Sequence, residues 1–277
     1  MVKFITGQSG SGKSTRLAEY IDKLSDEGKN LCIIVPEQFS YEFDKNLYKK
    51  LGAVKFNKIF SLTFTGLSRQ LFQLYGDNNR KGVYADDLSK IVIMEEALLN
   101  LSRTPDGIHE FRKQIKRHGF IEQILKIITN FKRAAISPYQ FQEKTAFLSG
   151  KFKRKADDIS NIYFEYEKLL KEKGYKDNLT DISEAAKIAS LHEYFKGKTV
   201  FIDEFDSFTG EQYEFIKVII QHADDLYITL RTDDVNAGEF TLFEAVNKTY
   251  RKITAICNET KTEYSNEICN GLYRFNS

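Results

Sequence analysis

The stretch Gly7-Gln8-Ser9-Gly10-Ser11-Gly12-Lys13-Ser14-Thr15 constrains this chain more than any other. It fits the pattern Gly-x4-Gly-Lys-Ser, with the apolar run Val2-Lys3-Phe4-Ile5 before it and a helix-like stretch, Thr15 to Leu24, after it. Gly7, Gly10 and Gly12 let the backbone curl so that successive amide N–H groups point inward, and the helix that follows adds its positive end. This order of strand, turn and helix predicts a phosphate cradle, in which Lys13 reaches the β- and γ-phosphates and the Ser14 hydroxyl completes the coordination of Mg²⁺. The competing reading, a flexible glycine/serine turn, leaves the flanking strand and helix unexplained.

The pattern then alternates. Leu31-Cys32-Ile33-Ile34-Val35 is a continuous apolar run, as expected of a strand buried on both faces, and Pro36 stops it. A helical stretch over 39–51, a strand at 58–62 and a helix over 65–75 follow, which argues for a parallel sheet. From 86 to 191 the signal is helical. Ile121, Ile124, Leu125, Ile128 and Phe131 share one helical face, as do Ile159, Ile162, Tyr163, Tyr166 and Leu169, and both stripes read as the core of a helix bundle. Strand signal returns at 199–202 and 226–230, around a helix at 209–221. The expected fold is α/β: a P-loop parallel sheet flanked by helices, formed by 1–85 and 192–277, with an α-helical subdomain inserted at 86–191.

The run Thr199-Val200-Phe201-Ile202-Asp203-Glu204-Phe205 is an apolar strand ending in an acidic pair. Asp203 suits a role holding Mg²⁺, and Glu204 suits one polarising the water that attacks a γ-phosphate. Lys13 and Asp203 lie 190 positions apart. An insertion between strands of one sheet reconciles that gap, because the two motifs then meet at the strand carboxyl ends.

Composition sets outer bounds. With 277 residues, 42% of them hydrophobic, the chain can bury a sizeable core, and its formal net charge of +2 neither demands nor excludes a polyanionic partner. Cys32, Cys257 and Cys269 are too scattered for a disulfide framework or a metal knuckle, which fits a reducing cytoplasm. No run approaches the length of a membrane span, and no membrane role is expected. His109, His118, His192 and His222 have no metal-ligand spacing and read as surface or cap residues. Two basic groups, one of Arg112, Lys113, Lys116, Arg117, Lys126, Lys132 and Arg133 and one of Lys151, Lys153, Arg154 and Lys155, suit either a phosphate backbone or a solvated helix face.

Taken together, "GQSGSGKST", "IIVPEQFS", "IFSLTFTGLSRQLF", the helical insert, "VFIDEFDSFTGEQYEFIKVI" and "LYITLRTDD" resemble the front of UvrD-type superfamily 1 helicases, and within them the B subunit of AddAB-type ATP-dependent helicase–nucleases. The resemblance covers essentially the whole chain, yet only the start of such a protein, so the sequence reads as a fragment of a longer one. It implies a RecA-like sheet, ATP and Mg²⁺ as cofactors, and nucleotide contacts at Gly12, Lys13, Ser14 and Thr15. It further implies a role in processing double-strand DNA breaks for recombinational repair, with the A subunit of the same helicase–nuclease as heterodimer partner. Gln38, Thr63, Phe64 and Arg69 are implied to face single-stranded DNA from loops at the sheet's edge, against the alternative of a core phenylalanine and a solvated arginine. The chain departs from such motors after the fourth strand, where Leu230-Arg231-Thr232-Asp233-Asp234 replaces a Gly-Asp-x-x-Gln string. That loss weakens coupling of hydrolysis to movement, while Glu204 leaves residual ATPase open. A self-contained P-loop NTPase or kinase acting on a small phosphate acceptor stays open, as does a scaffold with a vestigial loop.

Overall fold

Alternating apolar strands and amphipathic helices of this kind have one economical arrangement, a parallel sheet with helices on both faces. The computed structural model, which describes residues 1–57, 59–76, 83–177, 181–237 and 241–271, has that arrangement. Along the chain run β1 (Val2–Gly7), α1 (Lys13–Asp26), β2 (Asn30–Ile34), α2 (Ser40–Phe56), β3 (Phe60–Leu62) and α3 (Phe64–Tyr75). Next come β4 (Val83–Tyr84), α4 (Asp87–Ser102), α5 (His118–Arg133), α6 (Pro138–Lys144), α7 (Gly150–Glu172) and β5 (Tyr175–Lys176). The chain continues through α8 (Asp181–Leu191), β6 (Lys198–Ile202), α9 (Gly210–His222), β7 (Asp225–Arg231), α10 (Glu244–Glu259) and β8 (Tyr264–Ile268).

The chain divides into two compact units, Met1–Tyr75 with Ile182–Ser277, and Gly76–Asp181. In the first, six strands lie in the order β3-β2-β6-β7-β1-β8. Each neighbouring pair is parallel, with Val2 opposite Leu226, Thr199 opposite Asp225 and Asn30 opposite Lys198. Strand side chains alternate between faces, so each strand feeds two cores. Phe4, Cys32, Ile34, Val200, Ile202 and Ile228 pack with Leu67 and Leu71 of α3, Ala185 and Ala189 of α8, Phe215 and Ile219 of α9, and Ile253 of α10. Ile5, Ile33, Val35 and Phe201 pack on the other face against Leu17 and Ile21 of α1 and Leu47 of α2.

Two placements differ from the sequence reading. Helix α8 carries three buried alanines into the core of the sheet unit, so the helical unit lies about ten residues earlier than the 86–191 read from the sequence. Small residues on α8 give no strong apolar period, and nothing in the sequence marks it as sheet-packed. Strand β8 was not anticipated because its residues are mostly exposed and polar.

In the helical unit, α4, α5 and α7 bring Ile93, Leu98, Ile121, Ile124, Ile162 and Tyr166 into one core. Both predicted stripes face it. Lys132, read from the sequence as part of a basic surface, is instead buried, bonded to Asp177 at 2.7 Å and paired with Glu167. Its charge is neutralised internally and is removed from any count of surface cations. Asp158 is fully buried on α7 and accepts three successive backbone N–H groups, from His109 at 2.9 Å, Glu110 at 2.8 Å and Phe111 at 3.0 Å. This one carboxylate fixes the path of the α4–α5 connection. Asp158→Ala strands those donors and is expected to destabilise the helical unit by about 3 kcal/mol, read as lost hydrogen-exchange protection at residues 109–111 and a lower unfolding midpoint.

Candidate functional site

Because the strands of the sheet run in one direction, their carboxyl ends share one edge, and the loops after β1, β2, β6 and β7 gather there. The loop after β1 is shaped by its glycines. A Cβ at Gly7 would stand 2.3 Å from Ser11 Oγ and 2.5 Å from the carbonyl oxygen of Cys269, which backbone cannot yield. Gly12, immediately before α1, has a φ of 94°, in the left-handed region where side chains clash. The turn is closed by a bond from Ser11 N to Gln8 O at 3.2 Å, and α1 begins with Arg16 N bonding Gly12 O at 2.8 Å. Lys13 bends back to donate from Nζ to Gln8 O at 2.8 Å. Burial pushes its ammonium below the usual lysine range, against the opposing pull of Asp203 and Glu204.

The acidic pair arrives from β6. Asp203 is 1% exposed. Its Oδ1 accepts the Thr229 hydroxyl of β7 and Glu204 N, while its Oδ2 is buried with no hydrogen-bond partner in the protein. Burial pushes this carboxyl up to about 6, Thr229 pulls it down, and the neighbouring Glu204 charge adds to the rise. Glu204 holds a φ of 63°, strained for a residue with a Cβ, at a cost of about 1–3 kcal/mol. Its exposed Oε1 accepts the Ser14 hydroxyl at 3.4 Å, so the two motifs touch across 190 residues of sequence.

Between them opens a cavity of about 710 Å³, lined by Gly10, Gly12, Lys13, Ser14, Thr15, Asp203 and Glu204. Gly7 is buried behind the loop. Thr229 and Arg231 of β7 and Gln212 of α9 also line the cavity and went unread in the sequence. Arg231 Nη2 bonds Asp206 Oδ2 at 2.6 Å. A threonine between Ile228 and Leu230, in a strand otherwise fit for burial, was the one available signal for Thr229. Chemically, the site presents a lysine, a hydroxyl and a carboxylate oxygen without a hydrogen-bond partner.

The four residues implied for DNA contact divide. Gln38 is exposed on the loop after β2 and lines the same cavity. Arg69 is exposed, on helix α3 and not on a loop. Thr63 precedes α3 and its Oγ1 accepts Gly66 N at 3.0 Å, a capping role. Phe64 is 2% exposed and packs edge-on against Phe205, Phe208 and Phe215, so its ring has no open face for a base. Expectation gives way there to a core phenylalanine.

Strand β8 braces β1 and α1 on either side of the glycine loop. Cys269 N bonds Thr6 O at 2.7 Å, and Glu267 takes Arg16 Nε at 2.6 Å, Tyr20 OH at 2.7 Å and Lys3 Nζ at 2.9 Å. Partial burial raises the Glu267 carboxyl, but the hydrogen bonds from Tyr20, Lys3 and Arg16 outweigh it and hold the group down at about 2. A depressed carboxylate lends stability above its ordinary range and loses it as pH falls. Lowering pH from about 4.5 towards 2 is therefore expected to release β8, read as lost exchange protection at the Cys269 amide after correction for intrinsic rates, whereas Glu267→Gln shows weaker protection without that pH dependence.

Comparison with known proteins gives the family. Residues 4–277 match the family described as "ADDB, N-terminal". Similar relatives are the B subunit of the ATP-dependent helicase/deoxyribonuclease of Clostridium kluyveri, 29% identical over 99% of this chain and 24% of that protein, and that of Clostridioides difficile, 30% identical over 93% and 23%. The chain spans about a quarter of the length of these curated relatives.

Proposed function

Since this chain belongs to the ADDB N-terminal family, we propose that it is the nucleotide- and DNA-binding front module of the B subunit of an ATP-dependent helicase/deoxyribonuclease. In this reading the sheet is a RecA-like P-loop domain, interrupted by the helical unit, and the protein works beside the A subunit of the same enzyme on broken DNA ends in a reducing cytoplasm. Free cysteines, two of them buried, accord with that compartment. The observation that carries the nucleotide role is Asp203 Oδ2, buried and unpartnered in the cavity that Ser14 and Lys13 also line.

That donor set fits a magnesium-bound triphosphate. Loop amides and Lys13 would hold the phosphate oxygens, and the Ser14 hydroxyl with Asp203 would hold the metal, directly or through its water shell. When bound, the ion draws negative charge off the β- and γ-oxygens. Lys13 has only to leave Gln8 O to reach into the cavity, and Glu204 has only to release Ser14. Freed, the Glu204 carboxylate can take a proton from water, which is the chemistry of a residual ATPase. Gln38 at the cavity mouth and Arg69 on α3 are the side chains of the proposed DNA surface that solvent reaches.

A ligand bound only by the folded state raises its stability by mass action. ATP with Mg²⁺ at about a hundred times its dissociation constant is expected to add about 2.7 kcal/mol, a rise in melting temperature of roughly 5–10 °C. Lys13→Ala is expected to abolish the rise without lowering the melting temperature of the ligand-free protein. An unmoved melting temperature in the parent chain contradicts the nucleotide role.

A further inference from the structure

The segment Lys144-Thr145-Ala146-Phe147-Leu148-Ser149-Gly150-Lys151-Phe152-Lys153-Arg154-Lys155, from the end of α6 into the first turns of α7, has five basic residues and no acidic one. It also displays two large rings to solvent. Phe147 is 83% exposed and Phe152 74% exposed, and Tyr139 on the preceding helix α6 is exposed as well. What singles the segment out is the pairing, two exposed phenylalanines five positions apart within a run of cations.

The cations are unevenly committed. Lys153 Nζ bonds Asp157 Oδ1 at 2.5 Å and Arg154 Nε bonds Glu110 Oε1 at 2.7 Å, whereas Lys144, Lys151 and Lys155 make no ion pair among the described residues. Lys151 and Lys155 are one helical turn apart and help hold the Glu110 carboxyl low, after the larger effect of its bond to Arg154.

We propose that this α6–α7 corner is a binding platform for single-stranded nucleic acid, with Phe147 and Phe152 stacking on bases while Lys144, Lys151 and Lys155 neutralise the backbone between them. Rings with open faces beside unpaired cations are what a flexible polyanion with stackable bases requires, and a duplex, whose bases are already stacked, does not use the rings. An anionic membrane would share the charges but needs a broad apolar face. The apolar face of α7, including Ile162, Tyr163, Tyr166 and Leu169, is spent in the helical core, which leaves at this corner the rings of Phe147 and Phe152, with Tyr139 of α6 also exposed, and no broad apolar face. This surface belongs to the helical unit, whereas the nucleotide cavity, Gln38 and Arg69 belong to the sheet unit.

The chain has no tryptophan, so Phe147→Trp supplies a single fluorescent reporter. Titration of that variant with a short oligothymidylate is expected to quench it, as stacking does. In anisotropy titrations of the 277-residue chain, Phe147→Ala with Phe152→Ala is expected to weaken oligothymidylate binding at least ~10-fold at unchanged salt slope. Replacing Lys144, Lys151 and Lys155 by alanine is expected to flatten the slope of log K on log salt by about 2. Quenching of the Phe147→Trp variant in a chain whose melting temperature ATP with Mg²⁺ does not raise would leave this proposal standing and defeat the nucleotide reading, so the two failures are told apart. Phe147, Phe152, Lys144 and Lys151 are solvent-exposed and Lys155 is half-buried, and an unchanged melting temperature shows that each variant folds. Unquenched fluorescence in the Phe147→Trp variant, parental affinity in the double phenylalanine variant, or binding of the parent to phosphatidylserine vesicles but not to oligothymidylate would overturn the proposal.

Discussion

Everything at the site depends on β7 pairing between β1 and β6. Parallel pairing on both of its edges sets Leu226 against Val2 on one side and against Val200 on the other, which fixes how far the end of β6 projects relative to the end of β1. From that register Thr229 can reach Asp203, and Ser14 can reach Glu204. A slip of one residue would turn every side chain of β7 to the opposite face and break both cores as well as the site. Packing and chemistry are thus enforced by the same ladder.

Four local features meet at the strand carboxyl ends. Gly7 has no room for a Cβ, Glu204 sits in a left-handed conformation, Asp203 buries a carboxyl with one oxygen unpartnered, and Ser11 Oγ is buried without a partner. The Glu204 backbone and the two unpartnered oxygens each lower stability, and none of them is needed to close the sheet. Buried polar atoms without a hydrogen-bond partner also occur away from the site, at Asp44, Ser61, Gln70, Ser160 and Asn247, so what sets the site apart is the combination of an unpartnered carboxylate oxygen with the Ser14 and Glu204 contact beside it.

Much of this was legible in the sequence, for identifiable reasons. The glycine loop was readable because only glycine satisfies the crowding at Gly7 and the backbone turn at Gly12. β6 was readable because a strand covered on both faces must be apolar and must end where Asp203 turns polar. The alignment of Ile121, Ile124 and Ile128 with a buried face followed from helical period alone. What escaped was set by tertiary contact. Phe64 could be a base-stacking ring or a core ring until Phe205, Phe208 and Phe215 surrounded it, and Lys132 looked like a surface cation until Asp177 and Glu167 closed over it. The pocket roles of Thr229 and Arg231 depend on which strand lies between β1 and β6, and strand order is not written in local pattern. β8 is held by hydrogen bonds to β1 and by the Glu267 cluster, with little apolar signature to read.

The measurement that bears most directly on the account is calorimetric titration of ATP into the parent chain and into Asp203→Asn, each with and without Mg²⁺. If the orphaned carboxylate oxygen completes a metal site with Ser14, the parent binds ATP more tightly when Mg²⁺ is present, and Asp203→Asn keeps metal-free binding while losing that gain. Equal Mg²⁺ dependence in the two proteins, or no ATP binding by the parent, would contradict it.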